Sequence, residues 1–141
     1  MKNIILTTLN SRFSHSSLGL RYLYANLREL KPQAEILEFV INSSVQTIAE
    51  QILEKNPKII GIGVYIWNAF DIGELVKIIK KVSPETIIVI GGPEVSYTPL
   101  RVNFDAADYI ISGEGEDSFY AICIELLDGT CTQSRVINSP W

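Results

Sequence analysis

The chain is poor in the residues that build metal clusters and cross-linked folds. Its 141 residues include only two cysteines and one histidine. Cys123 and Cys131 are too far apart in sequence to form a Cys-x-x-Cys pair, so neither a disulfide framework nor a thiolate metal site is predicted. Cys123 lies in an apolar helical pattern and is predicted to be buried, whereas Cys131 is predicted to be exposed.

Positive charge and long apolar runs are also scarce. The 12 Lys and Arg residues are outnumbered by 16 Asp and Glu, giving a net charge of −4, which argues against nucleic-acid binding. Apolar runs such as residues 59–64 are far shorter than the ~18 residues of a membrane span. The N-terminus lacks the cleavage site of a secretory signal. We therefore expect a cytoplasmic protein without a nucleic-acid or membrane partner, and the oligomeric state stays open.

What the chain does have is a regular alternation of strand and helix patterns. Hydrophobic residues make up 47% of it, enough for a substantial core. Strands are predicted at residues 3–9, 35–40, 58–64, 87–90 and 109–111, and helices at 18–30, 45–55, 71–82 and 117–127. Ser16 or Ser17 is predicted to cap the first helix and Asp71 the third.

This alternation predicts an α/β fold: a single doubly wound domain of the Rossmann or flavodoxin-like type. Its five-stranded, mainly parallel sheet would have the order 2-1-3-4-5, with helices on both faces. The domain is predicted to span residues 1–130. Residues 131–141 are interpreted as a linker or as the start of a missing C-terminal domain.

Glycine clusters mark the place where such a sheet binds ligands. Gly91-Gly92 follows the predicted fourth strand, and Gly113-Glu-Gly115 follows the fifth. Ligands of parallel sheets bind at the carboxyl ends of the strands, and residues without Cβ let a bulky group approach the backbone. A large planar or nucleotide-like ligand is therefore predicted at this edge.

Common phosphate-binding motifs are missing from these loops. No GxxxxGK[ST] occurs, and Gly61-x-Gly63 has Ile66 where a dinucleotide fingerprint needs its third glycine. Glu114 and Glu116 at the start of the last helix would repel a phosphate. A phosphoacceptor domain needs acidic residues after its first and third strands. Here these positions carry Leu9-Asn10 and Tyr65–Asn68, so that function is not predicted.

Two other loops carry functional groups with more than one interpretation. The first loop offers Ser11, Ser14 and His15, which could hold a phosphate or a metal, or could be a solvated surface loop. After the third strand, Tyr65, Trp67 and Phe70 could stack on a flat ligand, cover a partner domain, or pack on the domain's own loops.

Three segments carry a resemblance to a known family. They are Gly61-Ile-Gly-Val-Tyr-Ile-Trp67, Ile90-Gly-Gly-Pro-Glu-Val-Ser96 and Asp108-Tyr-Ile-Ile-Ser-Gly-Glu-Gly-Glu116. In this order and spacing they resemble the N-terminal cobalamin (vitamin B12)-binding-type domain of radical S-adenosylmethionine proteins. That group includes magnesium-protoporphyrin monomethyl ester cyclase-like and cobalamin-dependent methylase-like enzymes. The resemblance covers residues 1 to about 130.

The resemblance implies cobalamin across the carboxyl ends of the strands, with its nucleotide tail beside the sheet and its corrin facing a catalytic barrel. Gly91 and Gly92 match the family's paired glycines beside the tail. The segment from Gly63 to Tyr65 takes the place of a Ser-x-Leu element, with glycine for serine and tyrosine for leucine. The cobalt-ligating DxHxxG motif is not intact around His15, which weighs against this histidine as the lower cobalt ligand.

The predicted cofactor-binding residues combine the loops and the resemblance. They are Ser11, Ser14, His15, Gly63, Val64, Tyr65, Trp67, Asn68, Gly91, Gly92, Pro93, Glu94, Gly113, Glu114 and Gly115. No catalytic residue is predicted. His15 stays the one candidate for a metal ligand.

The resulting hypothesis is a non-catalytic domain that positions cobalamin for a radical S-adenosylmethionine domain of the same polypeptide. S-adenosylmethionine and a [4Fe–4S] cluster would belong to that missing domain, because the two cysteines here cannot form the family's Cys-x3-Cys-x2-Cys motif. Two alternatives remain: a flavodoxin-like carrier that binds a flavin or another phosphate ligand through the Ser-rich first loop, and a degenerate docking domain without ligand.

Overall fold

Strands and helices alternate along the chain. The computed structural model describes residues 2–11, 17–96, 102–131 and 133–139. The elements in these ranges are β1 (Ile4–Asn10), α1 (Leu18–Ala25), β2 (Ala34–Val40), α2 (Val45–Glu54), β3 (Ile59–Gly63), α3 (Ala69–Val82), β4 (Ile87–Gly91), β5 (Tyr109–Ser112), α4 (Glu116–Asp128) and β6 (Val136–Asn138). Short 3-10 helices lie at Arg28–Gln33 and Pro93–Val95.

The strands form one parallel sheet in the order β2-β1-β3-β4-β5-β6. The prediction of an α/β fold with a parallel sheet is confirmed, but the predicted count of five strands was wrong. The additional strand, β6, pairs with β5 at the edge of the sheet. It is only three residues long and Val136 is exposed, so no apolar pattern distinguished it from a linker.

Each face of the sheet carries its own core, because successive side chains of a strand point to opposite faces. On β1, Ile5 and Leu9 pack against α2 and α3, whereas Ile4 and Leu6 pack against α1 and α4. Both faces are therefore covered by helices, and the strands are almost continuously apolar.

The first helix is shorter than predicted. It ends at Ala25 instead of residue 30, because Asn26 occupies the C-cap and Arg28 has a φ of 53°, a left-handed conformation that stops an α-helix. Leu27 and Leu30 are nevertheless buried, which explains why the helical spacing appeared to continue.

The third helix begins earlier than predicted. Asn68 occupies the N-cap of α3, and Asp71, which was predicted to be the cap, lies within the first turn. A carboxylate in the first turn still interacts favourably with the helix dipole. The prediction of a serine cap on α1 is confirmed, since Ser17 Oγ accepts a hydrogen bond from Leu20 N at 3.2 Å.

The cysteines are structural. Cys123 is buried as predicted, and burial raises the pKa of its thiol to about 12. Cys131 is half-buried and not exposed, because its Sγ lies 3.5 Å from the Tyr109 hydroxyl.

None of the helices in the described ranges combines the length and apolarity needed to cross a bilayer.

The backbone after β4 requires a glycine. Gly92 has a φ of 112°, and a Cβ placed there would lie 2.5 Å from the Val64 carbonyl oxygen. Val64 in turn donates its N–H to the Gly91 carbonyl at 2.7 Å, so the two loops are fixed against each other. The close approach of the Val64 backbone therefore accounts for the glycine at position 92.

We expect Gly92→Ala to lower the free energy of unfolding by about 3 kcal/mol, since it adds a steric clash to a conformation that side chains avoid. Gly129→Ala is the matched control, because Gly129 also has a positive φ of 72° but nothing within 4 Å of the Cβ position. This control should lose only about 1 kcal/mol. Urea denaturation of the three proteins measures both values, and equal losses would contradict the close contact with Val64.

Candidate functional site

A strip of the sheet beneath α1 and α4 carries no side chains. Gly61 and Gly63 alternate on β3 and therefore point to the same face, and Gly63 pairs directly with Gly91 on β4. We call Gly61, Gly63 and Gly91 the glycine shelf. Because no Cβ rises from it, the two helices cannot pack onto the sheet here as they do elsewhere.

A cleft of about 170 Å³ opens above the glycine shelf. Its lining consists of Gly19, Leu20, Leu23, Gly61, Ile62, Gly63, Tyr65, Val89, Ile90, Gly91, Gly92, Ile111, Gly113, Glu114, Gly115, Glu116 and Phe119. An apolar cavity of about 150 Å³ is enough to bind benzene. The cleft therefore has the size of an aromatic ring system and is too small for a macrocycle.

The deep end of the cleft is closed by Phe119. A Cβ on Gly61 would lie 2.8 Å from the Phe119 ring, so glycine at this position makes room for the aromatic side chain. Gly91 differs, because the nearest atom to its Cβ position is the Ile111 carbonyl oxygen at 3.5 Å, an ordinary van der Waals distance. The shelf is thus filled by Phe119 at Gly61. The Tyr65 ring covers it at Gly63, 3.3 Å from a Cβ placed there, whereas a Cβ on Gly91 would make only ordinary contacts.

Tyr65 spans the mouth of the cleft. Its hydroxyl lies 3.0 Å from the position of a Cβ on Gly19, so the ring reaches from the loop after β3 to α1. The ring is stacked on the Trp67 ring; the two centroids are 4.7 Å apart and the planes are inclined by 1°. This side chain lines the cleft.

The loop that carries the two aromatic rings is fastened to β1 by Asn68. This side chain is 1% exposed; its Nδ2 donates to Thr8 Oγ1 at 3.1 Å and to the Leu9 carbonyl at 2.9 Å. Its Oδ1 accepts from Tyr65 N at 2.8 Å, and Trp67 Nε1 donates to the same Leu9 carbonyl at 3.0 Å. Asn68 is thereby satisfied by the protein itself and acts as a support.

Serines join the loops after β4, β5 and β6. Ser96 Oγ donates to the Gly92 carbonyl at 2.8 Å and accepts from Gly113 N at 3.1 Å. Ser112 Oγ donates to the Ser96 carbonyl at 3.0 Å, and Ser139 N donates to the Ser112 carbonyl at 2.7 Å. The carboxyl edge of the sheet is consequently held in place without a ligand.

Carboxylates occupy both helix N-termini beside the cleft. At α1, Glu38 accepts hydrogen bonds from Ser17 N and, at 2.9 and 3.1 Å, from the Arg21 guanidinium. At α4, Glu116 and Asp117 lie in the first turn. Because these groups already complement the positive ends of the helix dipoles, neither terminus favours a phosphate.

The protonation of Glu38 follows from its surroundings. Partial burial acts to raise the pKa of this carboxyl, but hydrogen bonds from Arg21 and from the Ser17 amide outweigh burial, and the net pKa lies below its ordinary value of 4.5. Glu38 is therefore ionised at neutral pH and holds the start of α1 against β2.

The cleft brings together some of the predicted site residues and not others. Seven of them line it: Gly63, Tyr65, Gly91, Gly92, Gly113, Glu114 and Gly115. Five lie in the adjoining loops: Val64, Trp67, Asn68, Pro93 and Glu94. Ser11 is exposed just after β1, and Ser14 and His15 lie outside the described residues.

Sequence reasoning missed most of the apolar lining. Leu20, Leu23, Val89, Ile111 and Phe119 come from four different elements, so no local pattern connects them. Gly61 could have been found, because the period of two places it on the same face as Gly63.

The family of this parallel α/β domain follows from its sequence. Residues 4–123 match the model of the B12 binding domain. The chain therefore belongs to the B12-binding domain family.

Related proteins and structures are larger than this chain. It is 30% identical over 114 residues to an uncharacterized methyltransferase of Pyrococcus horikoshii, covering 79% of this chain and 25% of that protein. A 2-(S-pantetheinyl)-carbapenam-3-carboxylate methyltransferase of Streptantibioticus cattleyicolor is 29% identical over 94 residues, covering 65% of this chain and 14% of that protein. The chain thus spans a quarter or less of these two relatives.

Solved structures share the fold. The cobalamin-dependent S-adenosylmethionine radical enzyme OxsB, with aqua-cobalamin and S-adenosylmethionine bound, superposes with a TM-score of 0.74 at 17% identity, covering 98% of this chain and 22% of that one. A cobalamin-binding protein from Desulfitobacterium hafniense gives a TM-score of 0.59 at 22% identity, covering 88% of this chain and 58% of that one.

Loss of the Glu38 charge should loosen the start of α1. We expect Glu38→Gln to lower the free energy of unfolding by about 2 kcal/mol at neutral pH, because it weakens the charged hydrogen bonds to Arg21 and Ser17. Since the folded-state pKa is lowered, the contribution of Glu38 is complete above pH 4.5 and disappears as the pH falls through the folded value. The difference between wild type and variant should therefore vanish in acid.

Thermal unfolding between pH 7 and pH 3 measures this effect. The control is Glu54→Gln, which removes an exposed carboxylate at the end of α2 and should leave the curve nearly unchanged. A Glu38→Gln difference that persists below the folded pKa would show that the charge is not its cause.

Proposed function

We propose that this chain binds cobalamin, with the nucleotide tail in the cleft and the corrin over the carboxyl edge of the sheet. The observation that carries the proposal is the glycine shelf, which leaves room for an aromatic group beneath α1 and α4 in a domain of the B12-binding family. Bound cobalamin would supply a redox-active cobalt that carries alkyl groups. No residue of the cleft is proposed to be catalytic.

The cleft residues suit the two parts of such a ligand. The apolar lining of the cleft suits an aromatic base, whereas the corrin is too large for the cleft and would remain outside. The corrin rim bears amide groups, which can donate hydrogen bonds to Glu114 and to carbonyl groups of the glycine loops. Ser11, Pro93 and Glu94 are proposed to contact the ligand from the surrounding loops. The predicted contact by Val64 is not proposed, because this side chain is fully buried in the core between the sheet and α2 and α3.

The proposed partner is a radical S-adenosylmethionine domain of the same polypeptide, which would hold S-adenosylmethionine and a [4Fe–4S] cluster. Exposed apolar side chains in the loop after β3 and the first turn of α3 support a covering partner: Ile66 is 61% exposed and Phe70 is 76% exposed. The fold of this chain corresponds to 22% of the OxsB chain. The OxsB structure is that of a radical enzyme with both cobalamin and S-adenosylmethionine bound.

A flavin or another ligand with a doubly charged phosphate fits less well. Glu38 and the Glu116–Asp117 pair already occupy the two helix N-termini beside the cleft. The described cleft lining also contains no Lys or Arg to neutralise a phosphate. These carboxylates favour cobalamin over the phosphate-carrier alternative.

Titration of the 141-residue chain with hydroxocobalamin tests the proposal. We expect the visible spectrum of the corrinoid to shift on binding, and Gly91→Leu to weaken binding at least about tenfold, because the added side chain would enter the open part of the cleft. Ala25→Leu is the control, since it adds the same side chain at an exposed position of α1 outside the cleft. Binding that is absent, or equal in all three proteins, would refute the proposed site.

His15→Ala tests cobalt ligation separately. We expect the spectrum of the bound corrinoid to be the same as with wild type, because the sequence around His15 lacks a carboxylate partner that would fix the ring tautomer. A changed spectrum would assign His15 as the lower ligand and would leave the cleft proposal intact.

A further inference from the structure

We propose that Ser139 is a positioning residue for the cleft, because it holds the loop that joins β5 to α4 and so couples the end of β6 to the ligand site. This loop consists of Gly113, Glu114 and Gly115, all of which line the cleft. We call it the β5–α4 loop. The inference rests on the proposed cobalamin-binding function and adds to it a residue outside the cleft on which affinity depends.

The β5–α4 loop has a neighbour on each side, because β5 lies between β4 and β6 in the sheet. On the β4 side, Ser96 Oγ accepts a hydrogen bond from Gly113 N at 3.1 Å. On the β6 side, Asn138 pairs with Ser112, so Ser139 is the residue that lies beside Gly113. The loop is therefore held from both sides at its first residue.

The backbone of Ser139 makes two contacts with this segment. Its N–H donates a hydrogen bond to the Ser112 carbonyl at 2.7 Å. Its carbonyl oxygen lies so close to Gly113 that a Cβ on this glycine would overlap with it. Gly113 also has a φ of 91°, a conformation that residues with a side chain avoid. Glycine at position 113 therefore permits the close approach of the Ser139 backbone.

The side chain of Ser139 makes a third contact, with α4. Ser139 is 9% exposed, and its hydroxyl shares a hydrogen bond with the hydroxyl of Ser118. Ser118 lies in the first turn of α4 and directly precedes Phe119, which lines the cleft. One residue thus fixes both the β5–α4 loop and the start of the helix that carries the Phe119 wall.

The start of β6 is fastened to the domain independently of Ser139. The Arg135 carbonyl accepts a hydrogen bond from Ile110 N at 2.7 Å, and the Arg135 guanidinium donates to the Phe104 carbonyl at 2.8 Å. A displacement of the polypeptide that follows β6 therefore acts on the cleft through Ser139. This strand lies outside residues 4–123, the part that matches the B12 binding domain.

Loss of these contacts has a defined effect on ligand binding. A loop that opens freely must be ordered again when a ligand binds, and this ordering lowers the affinity. Coupling between two sites is reciprocal, so a ligand that requires the ordered loop also stabilises the contacts of Ser139. Because Ser139 does not line the cleft, its amide reports this coupling without a direct ligand contact.

Ser139→Ala tests the contacts in the 141-residue chain, since it removes the hydrogen bond to Ser118 and keeps the backbone contacts. We expect amide hydrogen exchange of residues 113–118 in the apo protein, followed by NMR, to become about fivefold faster. Exchange in α2 should stay the same, because this helix packs on the opposite face of the sheet. Ser118→Ala, alone or combined with Ser139→Ala, should give the same acceleration, since each variant removes the same bond.

A titration with hydroxocobalamin connects these contacts to the proposed ligand. We expect Ser139→Ala to bind the corrinoid about fivefold more weakly than wild type. In wild type, the bound corrinoid should also slow exchange of the Ser139 amide. Ser134→Ala is the matched control, because it makes the same substitution at an exposed position before β6 and should behave like wild type in both measurements.

The outcomes separate this inference from the function on which it rests. Unchanged exchange of residues 113–118 in Ser139→Ala refutes the inference, whatever the corrinoid does. If exchange is faster but the variant binds hydroxocobalamin like wild type, the positioning role is refuted and cobalamin binding stands. If wild type does not bind hydroxocobalamin, the proposed function fails, and the exchange data alone decide whether Ser139 holds the loop.

Discussion

The glycine shelf, at the carboxyl ends of β3 and β4, is the constraint on which the site depends. The register that pairs Gly63 with Gly91 places two bare backbones side by side where α1 and α4 would otherwise complete the core. A space left in a core costs stability, because its lining loses van der Waals partners. The same face is fully packed further down, at Leu6 and Phe119. The protein therefore gives up packing only at the ligand-binding edge.

The polar groups around this space explain how it stays open. Asn68 joins the loop after β3 to β1, and Ser96 joins the loops after β4 and β5. A binding site held by its own hydrogen bonds does not need a ligand to become ordered. Tyr65 contributes through its ring, which is stacked on Trp67 and lines the cleft.

The strand order could be predicted from the sequence because apolar runs alternated with helical spacing, whereas the cleft could not. Gly91 and Gly92 look equivalent in sequence, but only the structure reveals that Gly92 is required by its own backbone, whereas a Cβ on Gly91 would make ordinary van der Waals contacts. The partner of Gly61 is Phe119, far away along the chain. Likewise, β6 was missed because it has only three residues, two of them exposed, which is too few to show the alternation of a strand.

The direction of β6 has a consequence for the architecture of longer homologues. Because this strand is parallel to β5, the chain reaches Ser139 at the same edge that holds the cleft, and Ser139 N is bonded to Ser112 there. Polypeptide that continues from this point is thus tethered next to the cleft. A domain joined through a short flexible linker has an effective concentration on the order of millimolar at such a site. Covalent attachment alone then keeps a weakly docking domain in place.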